Sequence, residues 1–505
     1  MKVCLIRPPT ITTADAVGED AAPPLGIAYL AGALVAVGHD VTIIDALGEA
    51  LSRYERIDYL PTGLRHGLTD DEILSRIPRD VEMIGISIMF SLEWPFTRAL
   101  TMAIRKACPN AFIVAGGEHI TALPEFSLRE CAGIDACALG EGEQIIVNLV
   151  EALQTGTALE DVDGLCLRKD GSTIRTRSQK RQRVLSIMSR PAWDLAPIDQ
   201  YLDNGFMTGV DFGRSMPIMA SRGCPYRCTF CSNPVMWGPL WRVRPAADVV
   251  DEIEDYHRRY RATNFDFYDL TAIVKRDWIV EFCNLLIARG LKITWQLPSG
   301  TRSEAIDDEV CRLLYESGCR YINYAPESGS EEMLRKMKKQ ISKPAMMKSI
   351  GSALANGLNV KSNFIVGFPT ERLSHVKDTY LWVMRMAWAG VHDVSVFPFS
   401  PYPGSQLFQE LSDEGKVTLN DTYFYSLSQY TDPRSARTYC LNLSKNVLRL
   451  LCFGIMMSFY FLSYARRPGR LVAMFRYLRN NDAKTKLAAA LIRVRKKRQE
   501  LADAA

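Results

Sequence analysis

The sequence predicts an α/β protein in which a doubly wound parallel sheet is followed by an open (βα)6 barrel and a helical C-terminal region. Its 505 residues amount to about three typical domains of ~150 residues. Short apolar strands alternate with helical stretches before residue 155 and again from Met216 to Pro398, and such alternation is typical of parallel sheets. We expect a sheet domain, a linker, the barrel and the helical region at residues 1–155, 156–213, 214–410 and 411–505.

The first series of elements forms the predicted sheet domain. Strands are expected over Lys2–Ile6, Val41–Ile44, Met83–Ile88, Phe112–Ala115 and Ala136–Leu139, and helices over Leu25–Val37, Trp94–Ala107 and Gln144–Gln154. In such sheets a ligand binds beyond the carboxyl ends of the strands. The loops at that edge contain many glycines and small polar residues, which lets a large polar ligand approach the backbone: Arg7–Thr10, Ser87–Ser91, Gly116–His119 and Gly140–Glu143. Ordinary tight turns are the alternative interpretation.

The stretch from residue 156 to 213 combines a basic segment, Arg175 to Arg183, with the proline-interrupted segment Arg190 to Pro197. Prolines at this spacing break helices and strands, so we predict a linker that wraps one domain onto the next. We interpret its charges as a solvated face and expect no nucleic-acid partner.

The second series contains six strand–helix rounds, enough for an open barrel. Strands are predicted over Ile218–Ser221, Phe265–Tyr268, Ile293–Leu297, Tyr321–Tyr324, Val360–Val366 and Val394–Pro398, and helices over Ala246–Tyr260, Trp278–Arg289, Asp307–Ser317, Pro344–Asn356 and Ser374–Trp388. Barrels of this type carry their chemistry on the loops that follow the strands.

The first of those loops contains three cysteines, Cys224, Cys228 and Cys231, in a C-x3-C-x2-C arrangement. A [4Fe–4S] cluster is usually held by four cysteines, so three leave one iron open for a substrate or cosubstrate. An open metal site is a catalytic one. Zinc is the alternative, but it would require a fourth nearby ligand, and no Cys or His follows before His257.

At this loop the sequence resembles the radical S-adenosylmethionine (SAM) superfamily, in which an aromatic residue stands beside the last cysteine, as Phe230 does here. The resemblance implies that SAM chelates the open iron and is cleaved to a 5′-deoxyadenosyl radical. It also covers Tyr324–Ser330, Phe364–Glu371, Asp266–Asp269 and Pro398–Leu407. It implies that the residues lining the SAM site include Glu327, Ser328, Gly329 and Gly367.

The N-terminal half resembles the subset of this superfamily with a cobalamin-binding domain, through Pro23–Leu30, Val114–His119 and Leu139–Glu143. The usual signature Asp-x-His-x-x-Gly is missing, so bound cobalamin is expected base-off with no histidine on cobalt. Related enzymes also include domains that no longer bind it. Strand topology places the expected contacts on one sheet edge: Pro9, Ser87, Gly117 and Gly142.

Three functions remain open from the sequence. The first is methylation of an unactivated carbon in a small-molecule or lipid-like substrate; the second is radical cyclisation or rearrangement, as in the anaerobic porphyrin cyclases that the chain also resembles. The third is a non-catalytic cobalamin sensor, against which the intact cysteine loop argues. An electron donor such as flavodoxin or ferredoxin is the expected partner of either enzyme.

The cysteine content and the C-terminal region bear on location. Thirteen cysteines in a large chain without an export signal favour a reducing cytoplasm. Residues 466–505 hold twelve Lys or Arg and three Asp or Glu, next to the 15-residue apolar stretch Leu450–Tyr464, which is too short to span a bilayer comfortably. This region is expected to cover the barrel mouth or to contact anionic lipid peripherally.

Overall fold

A computed structural model describes residues 1–13, 16, 21–57, 60, 63–206, 208–430, 437–481 and 483–503. Its strands are β1 (Lys2–Arg7), β2 (Thr10–Thr13), β3 (Asp40–Asp45), β4 (Tyr54–Arg56), β5 (Gly63–His66), β6 (Met83–Ser87), β7 (Phe112–Gly116), β8 (Ala136–Ala138), β9 (Leu165–Lys169), β10 (Ser172–Arg175), β11 (Ser215–Ile218), β12 (Ser221–Arg222), β13 (Arg242–Val243), β14 (Asn264–Phe267), β15 (Thr294–Thr301), β16 (Cys319–Glu327), β17 (Asn359–Val366) and β18 (Asp393–Pro398).

The helices of the sheet domain and its extension are α1 (Leu25–Ala36), α2 (Asp70–Arg76), α3 (Trp94–Ala107), α4 (Glu118–Ala122), α5 (Pro124–Glu130), α6 (Gly142–Thr155) and α7 (Ile198–Asn204). Those of the barrel are α8 (Asn233–Met236), α9 (Ala246–Tyr260), α10 (Arg276–Arg289), α11 (Asp308–Glu316), α12 (Glu331–Lys336), α13 (Lys343–Ala355) and α14 (Leu373–Ala389). The remaining helices are α15 (Gln406–Asp413), α16 (Asp421–Ser426), α17 (Lys445–Arg466), α18 (Gly469–Asn480) and α19 (Lys486–Asp503).

The N-terminal sheet has the strand order β10-β9-β8-β7-β6-β1-β3, and β3, β1, β6, β7 and β8 run parallel. Alternate residues of each strand enter two different cores: Cys4 and Ile6 pack on one face of the sheet, and Val3 and Leu5 on the other. Helices therefore cover both faces, which explains why these strands are continuous apolar runs. The predicted doubly wound sheet is confirmed.

Two features of this unit were not expected. The strands β9 and β10 form an antiparallel hairpin that pairs with β8, within the segment predicted as a linker from residue 156. The hairpin joins the sheet because Leu165, Cys166 and Leu167 are buried, although β10 itself is mostly polar. A separate three-stranded sheet, β2-β5-β4, flanks the parallel one.

The barrel has the strand order β11-β14-β15-β16-β17-β18, and every pairing between neighbours is parallel. Phe265 and Phe267 of β14 pack outward in the core beneath the helices. On the inner side Asp266 accepts hydrogen bonds from Ser215 Oγ (3.0 Å) and Gln296 Nε2 (2.6 Å). The open six-stranded barrel is confirmed, although its first strand begins and ends earlier than the predicted Ile218–Ser221.

The C-terminal region is helical, as predicted, but its apolar helix is longer than the sequence pattern indicated. Helix α17 has 22 residues, so by length and composition it could cross a membrane, and 28% of its apolar window is buried. The helix thus extends beyond the 15-residue stretch Leu450–Tyr464 on which the sequence estimate was based. The helix packs along one side against α14 and β18.

The two α/β units are joined by ion pairs around Arg222, whose side chain is 4% exposed. Its guanidinium donates to Glu143 Oε1 at 2.5 Å and to Glu141 Oε2 at 3.2 Å, and it lies over the rings of Tyr29 and Trp237. Burial by itself raises the pKa of Glu143, but Arg222 outweighs that effect, and the pKa falls below the usual range. The carboxyl edge of the N-terminal sheet is thereby fixed against the start of the barrel's first loop.

We expect Glu143→Ala to lower the free energy of unfolding by on the order of 3 kcal/mol, because the Arg222 cation loses its nearest carboxylate inside the protein. Urea unfolding followed by circular dichroism measures this. Glu130→Ala, which removes a pair between largely exposed side chains, is the matched control and should change stability by less than about 0.5 kcal/mol. Equal urea midpoints for the two variants would contradict a stabilising role of the buried pair between Arg222 and Glu143.

Candidate cofactor and active site

The cysteine loop begins directly after β12 and is closed at its base by β13, which pairs with β12. Gly223 has φ +80°, and a Cβ there would lie 2.2 Å from the carbonyl oxygen of Leu240, so only glycine fits the entry to the loop. Thr229 N donates to Met337 O (3.0 Å), and Thr229 O accepts from Leu407 N (2.9 Å). These bonds anchor the loop to α12 and to the start of α15.

The three cysteines are partly buried, and Cys224 and Cys228 both act electrostatically on Cys231. Burial raises the pKa of Cys231 to about 12, so a thiolate there requires a compensating metal charge. A single ion needs its ligand atoms within a few ångströms of one another. No three His, Cys, Asp or Glu side chains in the described part of the chain meet that requirement. Three cysteine thiols on one short loop are of the ligand type that a [4Fe–4S] cluster takes, one for each of three irons.

Asp269, after β14, supports the base of this loop. Its carboxylate accepts hydrogen bonds from Ala220 N (3.1 Å) and from both the amide and the hydroxyl of Ser221. The side chain is buried, and burial raises its pKa to about 6. The acidic end of the second strand, noted in the sequence, thus fixes the residues that lead into the cysteines.

The SAM-site residues predicted on β16 lie beside the cysteine loop. Glu327 has φ +65°, a left-handed conformation that is uncommon for a side-chain-bearing residue, at a register shift between β16 and β17. Its Oε1 accepts from Lys339 Nζ at 3.0 Å, and both side chains are 9% exposed. Burial raises the pKa of Glu327, and Lys339 opposes that shift. Lys339 also acts electrostatically on Cys228.

Arg302, like Lys339, lies beside the cysteine loop, and no motif in the sequence points to either residue. The Arg302 guanidinium, just beyond β15, stacks 3.6 Å from the ring centroid of Tyr226 in the cysteine loop. It also donates to Glu304 Oε1 at 2.9 Å. Arg302, Tyr226 and Lys339 come from separate segments, so only the barrel's closure brings them together.

The glycines of the predicted SAM site serve close packing of the backbone. A Cβ on Gly329 would lie 2.4 Å from Asp378 O of α14, and Gly329 N donates to Thr379 Oγ1 at 3.0 Å. Ser328 Oγ lies 3.3 Å from the same hydroxyl. Gly367 has φ +89°, and a Cβ there would meet Leu448 of α17. The segments after β16 and β17 are therefore fastened to the helices behind them.

Phe230 and Glu371 fix the remaining part of this face. The Phe230 ring meets that of Phe368 edge-on, with centroids 5.8 Å apart, and so joins the cysteine loop to the segment after β17. The buried Glu371 carboxylate accepts from the amides of Gly367 and Phe368, the latter at 3.2 Å. Burial raises the pKa of Glu371 to about 7.

The four loops predicted to bind cobalamin follow parallel strands and lie on one edge of the N-terminal sheet. A Cβ on Gly117 would lie 2.5 Å from Ile88 O, and one on Gly142 would meet Leu30 of α1. Both glycines thus bring backbone segments together. Pro9 is buried after β1, and Ser87 is partly buried at the end of β6.

This edge faces the barrel next to the cysteine loop. Ser232, one residue after Cys231, donates to the Glu118 carboxylate of α4. Beyond Ser87 the side chains of Met89 and Phe90 are 39% and 57% exposed, which provides an apolar surface for a flat ring such as a corrin. The residues on this edge therefore fit a ligand of the size of cobalamin, since glycine backbone and exposed apolar side chains are both available to contact it.

His119 lies on this edge but is enclosed. Its Nδ1 hydrogen-bonds Ser91 Oγ at 2.9 Å, Nε2 lies 3.4 Å from Ser127 Oγ, and the ring stacks on Trp94 at 4.8 Å. Burial lowers its pKa to about 3. The imidazole is therefore neutral, and both of its nitrogens face hydroxyl groups.

A cavity of about 460 Å³ opens beside Gly140. Helices α1 and α6 form one side of it, and the basic segment around Lys180 and Arg181 forms the other. Its size is within the range of small-molecule sites.

Two family models match the chain. The radical SAM superfamily matches residues 218–383, and the B12 binding domain matches residues 12–150. The first range contains the cysteine loop, and the second contains three of the four sheet-edge loops in full.

Among similar curated proteins is an uncharacterized methyltransferase of Pyrococcus horikoshii, 30% identical over 83% of this chain and 85% of that protein. Cytidylyl-2-hydroxyethylphosphonate methyltransferase of Streptomyces wedmorensis is 27% identical over 79% and 80% of the two chains. The anaerobic magnesium-protoporphyrin IX monomethyl ester cyclase of Rubrivivax gelatinosus is 28% identical over 78% of this chain and 67% of the cyclase.

Solved structures share the whole architecture. OxsB, a cobalamin-dependent SAM radical enzyme with aqua-cobalamin and SAM bound, aligns with a TM-score of 0.68 at 14% identity, covering 100% of this chain and 79% of its own. The methyltransferase TsrM from Kitasatospora setae, with cobalamin and a [4Fe–4S] cluster bound, has a TM-score of 0.62 at 17% identity, covering 82% and 78%. At these identities the likeness establishes the fold.

We expect Asp269→Asn to lower the stability of the protein by about 2 kcal/mol, since an amide cannot accept all three hydrogen bonds and presents its own N–H groups to donors. Thermal unfolding measures the change. Asp255→Asn, on the outer face of α9 where the carboxylate pairs with Arg258, should be nearly neutral. A melting temperature unchanged from the wild type would exclude Asp269 as the support of the loop.

Proposed function

The chain belongs to the radical SAM enzymes that carry an N-terminal B12-binding domain, and from this premise we propose that it transfers a methyl group from SAM to an unactivated carbon of a small-molecule or lipid-like substrate. The observation that carries the proposal is the position of the cysteine loop, which faces the carboxyl edge of the N-terminal sheet through Ser232 and Glu118. A group held on each side would lie close to the other.

Cys224, Cys228 and Cys231 would hold the [4Fe–4S] cluster and leave one iron for SAM. When bound, the cluster supplies the electron that cleaves SAM to a carbon radical. Phe230 packs behind the loop and restricts its movement. The buried Lys339, paired with Glu327, places a cation beside Cys228, where it would offset part of the thiolate charge.

Glu327, Ser328, Gly329 and Gly367 would line the SAM site. The left-handed backbone at Glu327 turns the end of β16 toward the cysteine loop, and the Thr379 hydroxyl holds Gly329 in place. These contacts position the SAM-facing segments before the ligand arrives, which lowers the entropic cost of binding.

Cobalamin would lie on the sheet edge against Pro9, Ser87, Gly117 and Gly142, and when bound it carries the methyl group. Its nucleotide tail would fit the cavity beside Gly140, whose volume of about 460 Å³ suits a ligand of that size. Since both nitrogens of His119 face hydroxyl groups, we propose that cobalt receives no histidine ligand.

We place the reaction in the cytoplasm, where flavodoxin or ferredoxin can supply the electron, with the C-terminal region as the part nearest to a membrane. Radical cyclisation is the second candidate, which the likeness to the Rubrivivax gelatinosus cyclase favours. Methyl transfer is preferred because the other two similar proteins named above are methyltransferases.

The test of the proposal is incubation of the reconstituted enzyme with methyl-deuterated SAM, a reductant and candidate substrates. We expect deuterated methyl in the product, read by mass spectrometry, because the methyl group passes through the enzyme intact. An unlabelled, dehydrogenated or rearranged product would favour cyclisation instead. Omission of cobalamin is the control, and the label should disappear with it.

Replacing Cys224, Cys228 and Cys231 together by alanine should abolish the cluster's visible absorbance and the formation of 5′-deoxyadenosine. The wild type should bind about four irons per chain at this site. Cys108→Ala, a half-buried cysteine in the N-terminal unit, is the control and should retain both. SAM cleavage by the triple variant would refute the radical SAM assignment of this loop.

Cobalamin bound by the full chain should give an EPR spectrum of its Co(II) form without nitrogen superhyperfine splitting. The reason is that His119 is enclosed between Ser91 and Trp94, and the displaced lower base would lie in the cavity. Free cobalamin at neutral pH, with its base on, provides the split reference spectrum. Splitting that disappears in His119→Ala would show that this histidine binds cobalt after all.

A further inference from the structure

The outward face of α17 is apolar although the helix lies at the protein surface. Its large exposed side chains follow at intervals of three or four residues, which puts them on one stripe. They are Val447, Leu450, Phe453, Met457 and Phe461, exposed by 41%, 71%, 61%, 52% and 77%. Large apolar patches of this kind mark interaction sites.

The helices that contact α17 carry further large apolar side chains that are exposed. Helices α14 and α18 both contact α17, and they add Leu381, Trp388, Leu471, Val472 and Phe475, each more than 40% exposed. At one end Arg466 stacks 3.7 Å from the Trp388 ring centroid and links α17 to α14. We call these ten side chains the apolar C-terminal surface.

The segment that carries eight of these ten side chains has charge of a single sign. Residues 438–481 contain seven Lys or Arg and no Asp or Glu. Arg467 and Arg470 donate to the last carbonyls of α14, to Ala389 O at 3.0 Å and to Gly390 O at 2.6 Å. The other five cations are exposed: Lys445, Arg449, Arg466, Arg476 and Arg479.

We propose that the apolar C-terminal surface docks on an anionic lipid bilayer. The apolar and aromatic side chains fit the acyl-chain side of the bilayer interface. The Lys and Arg side chains that border them fit the anionic headgroups. A second copy of the chain fits less well, because each copy would bring five exposed cations to the same contact. The bilayer is the partner whose charge and polarity both match.

Helix α17 lies on the bilayer and does not cross it. Its opposite face, with Leu448, Cys452, Ile455 and Phe459, belongs to the same hydrophobic core as the barrel strands. Removing the helix would open that core to water. The length and composition of α17 alone would permit it to cross a bilayer, but the packing of its inner face against the barrel core does not.

The surface borders the catalytic end of the barrel. Leu448, in the first turn of α17, packs so closely on Gly367 that a Cβ there would meet its side chain. Just before α17, Leu441 N donates to Pro369 O at 3.0 Å. Docking would therefore hold the loop after β17 next to the lipid headgroups. An apolar substrate dissolved in the bilayer would then lie near the segment that carries Gly367.

The test is flotation of the full, cofactor-loaded protein on vesicles of phosphatidylcholine alone or mixed with phosphatidylglycerol. We expect binding to the mixed vesicles to exceed binding to neutral ones by at least about tenfold, and to weaken with added salt. Phe461→Glu should abolish flotation. Ile287→Glu, on α10 and 40% exposed, is the matched control and should float like the wild type.

A second pair of variants tests the charge separately from the apolar contact. Arg476→Gln with Arg479→Gln should lower binding to the anionic vesicles severalfold, while Arg258→Gln with Arg312→Gln, on other barrel helices, should not. Absence of flotation on both kinds of vesicle would overturn the proposal. So would a dimer seen by light scattering that Phe461→Glu dissociates, because it would assign the surface to a second copy.

The vesicle experiment needs no turnover, so its result is independent of the proposed methyl transfer. Iron content and SAM cleavage of Phe461→Glu should equal those of the wild type, which confirms that the variant is folded. If flotation succeeds and no label is transferred, only the reaction assignment fails.

Discussion

The buried cation of Arg222 connects the two halves of the molecule at the point where the cofactors would meet. It stands two residues before Cys224, and its partners Glu141 and Glu143 stand at the start of α6 on the sheet edge. A guanidinium buried away from water is stable only when carboxylates pair with it, and the buried carboxylates in turn depend on the guanidinium. The pair therefore specifies one docking orientation, in which the loops after β12 and the loops of the N-terminal sheet face each other. The hydrogen bond from Ser232 to Glu118 depends on that orientation.

The backbone at the candidate SAM site is held mainly by the helices that pack on the outer side of the barrel. Gly329 and Gly367 allow close approach to α14 and α17, and Glu371 accepts the amides of the segment after β17. A motif that sequence reasoning interprets as ligand-binding is thus also a packing motif. The left-handed conformation of Glu327 occurs at a register shift of β16 and beside its ion pair with Lys339.

Much of the fold followed from the sequence, since continuous apolar strands between amphipathic helices permit few arrangements. The order of the barrel strands and the convergence of the cysteines on one loop were also predictable. The hairpin β9–β10 was not, because its second strand is polar and basic like a solvated linker. Lys339 and Arg302 carry no local signal, and they join the site only through tertiary contacts between distant segments. The length of α17 was underestimated since Lys445 and Arg449 interrupt the apolar pattern without ending the helix.

The contact between Lys497 and the second strand has a consequence for biosynthesis. Lys497 Nζ lies inside the protein, 3.2 Å from Thr12 Oγ1 and 3.2 Å from Thr13 O, across 485 residues of sequence. Domains fold as they leave the ribosome, the N-terminal one first. These two hydrogen bonds form only after α19 has been translated, so a chain that ends before α19 lacks this contact between the last helix and β2.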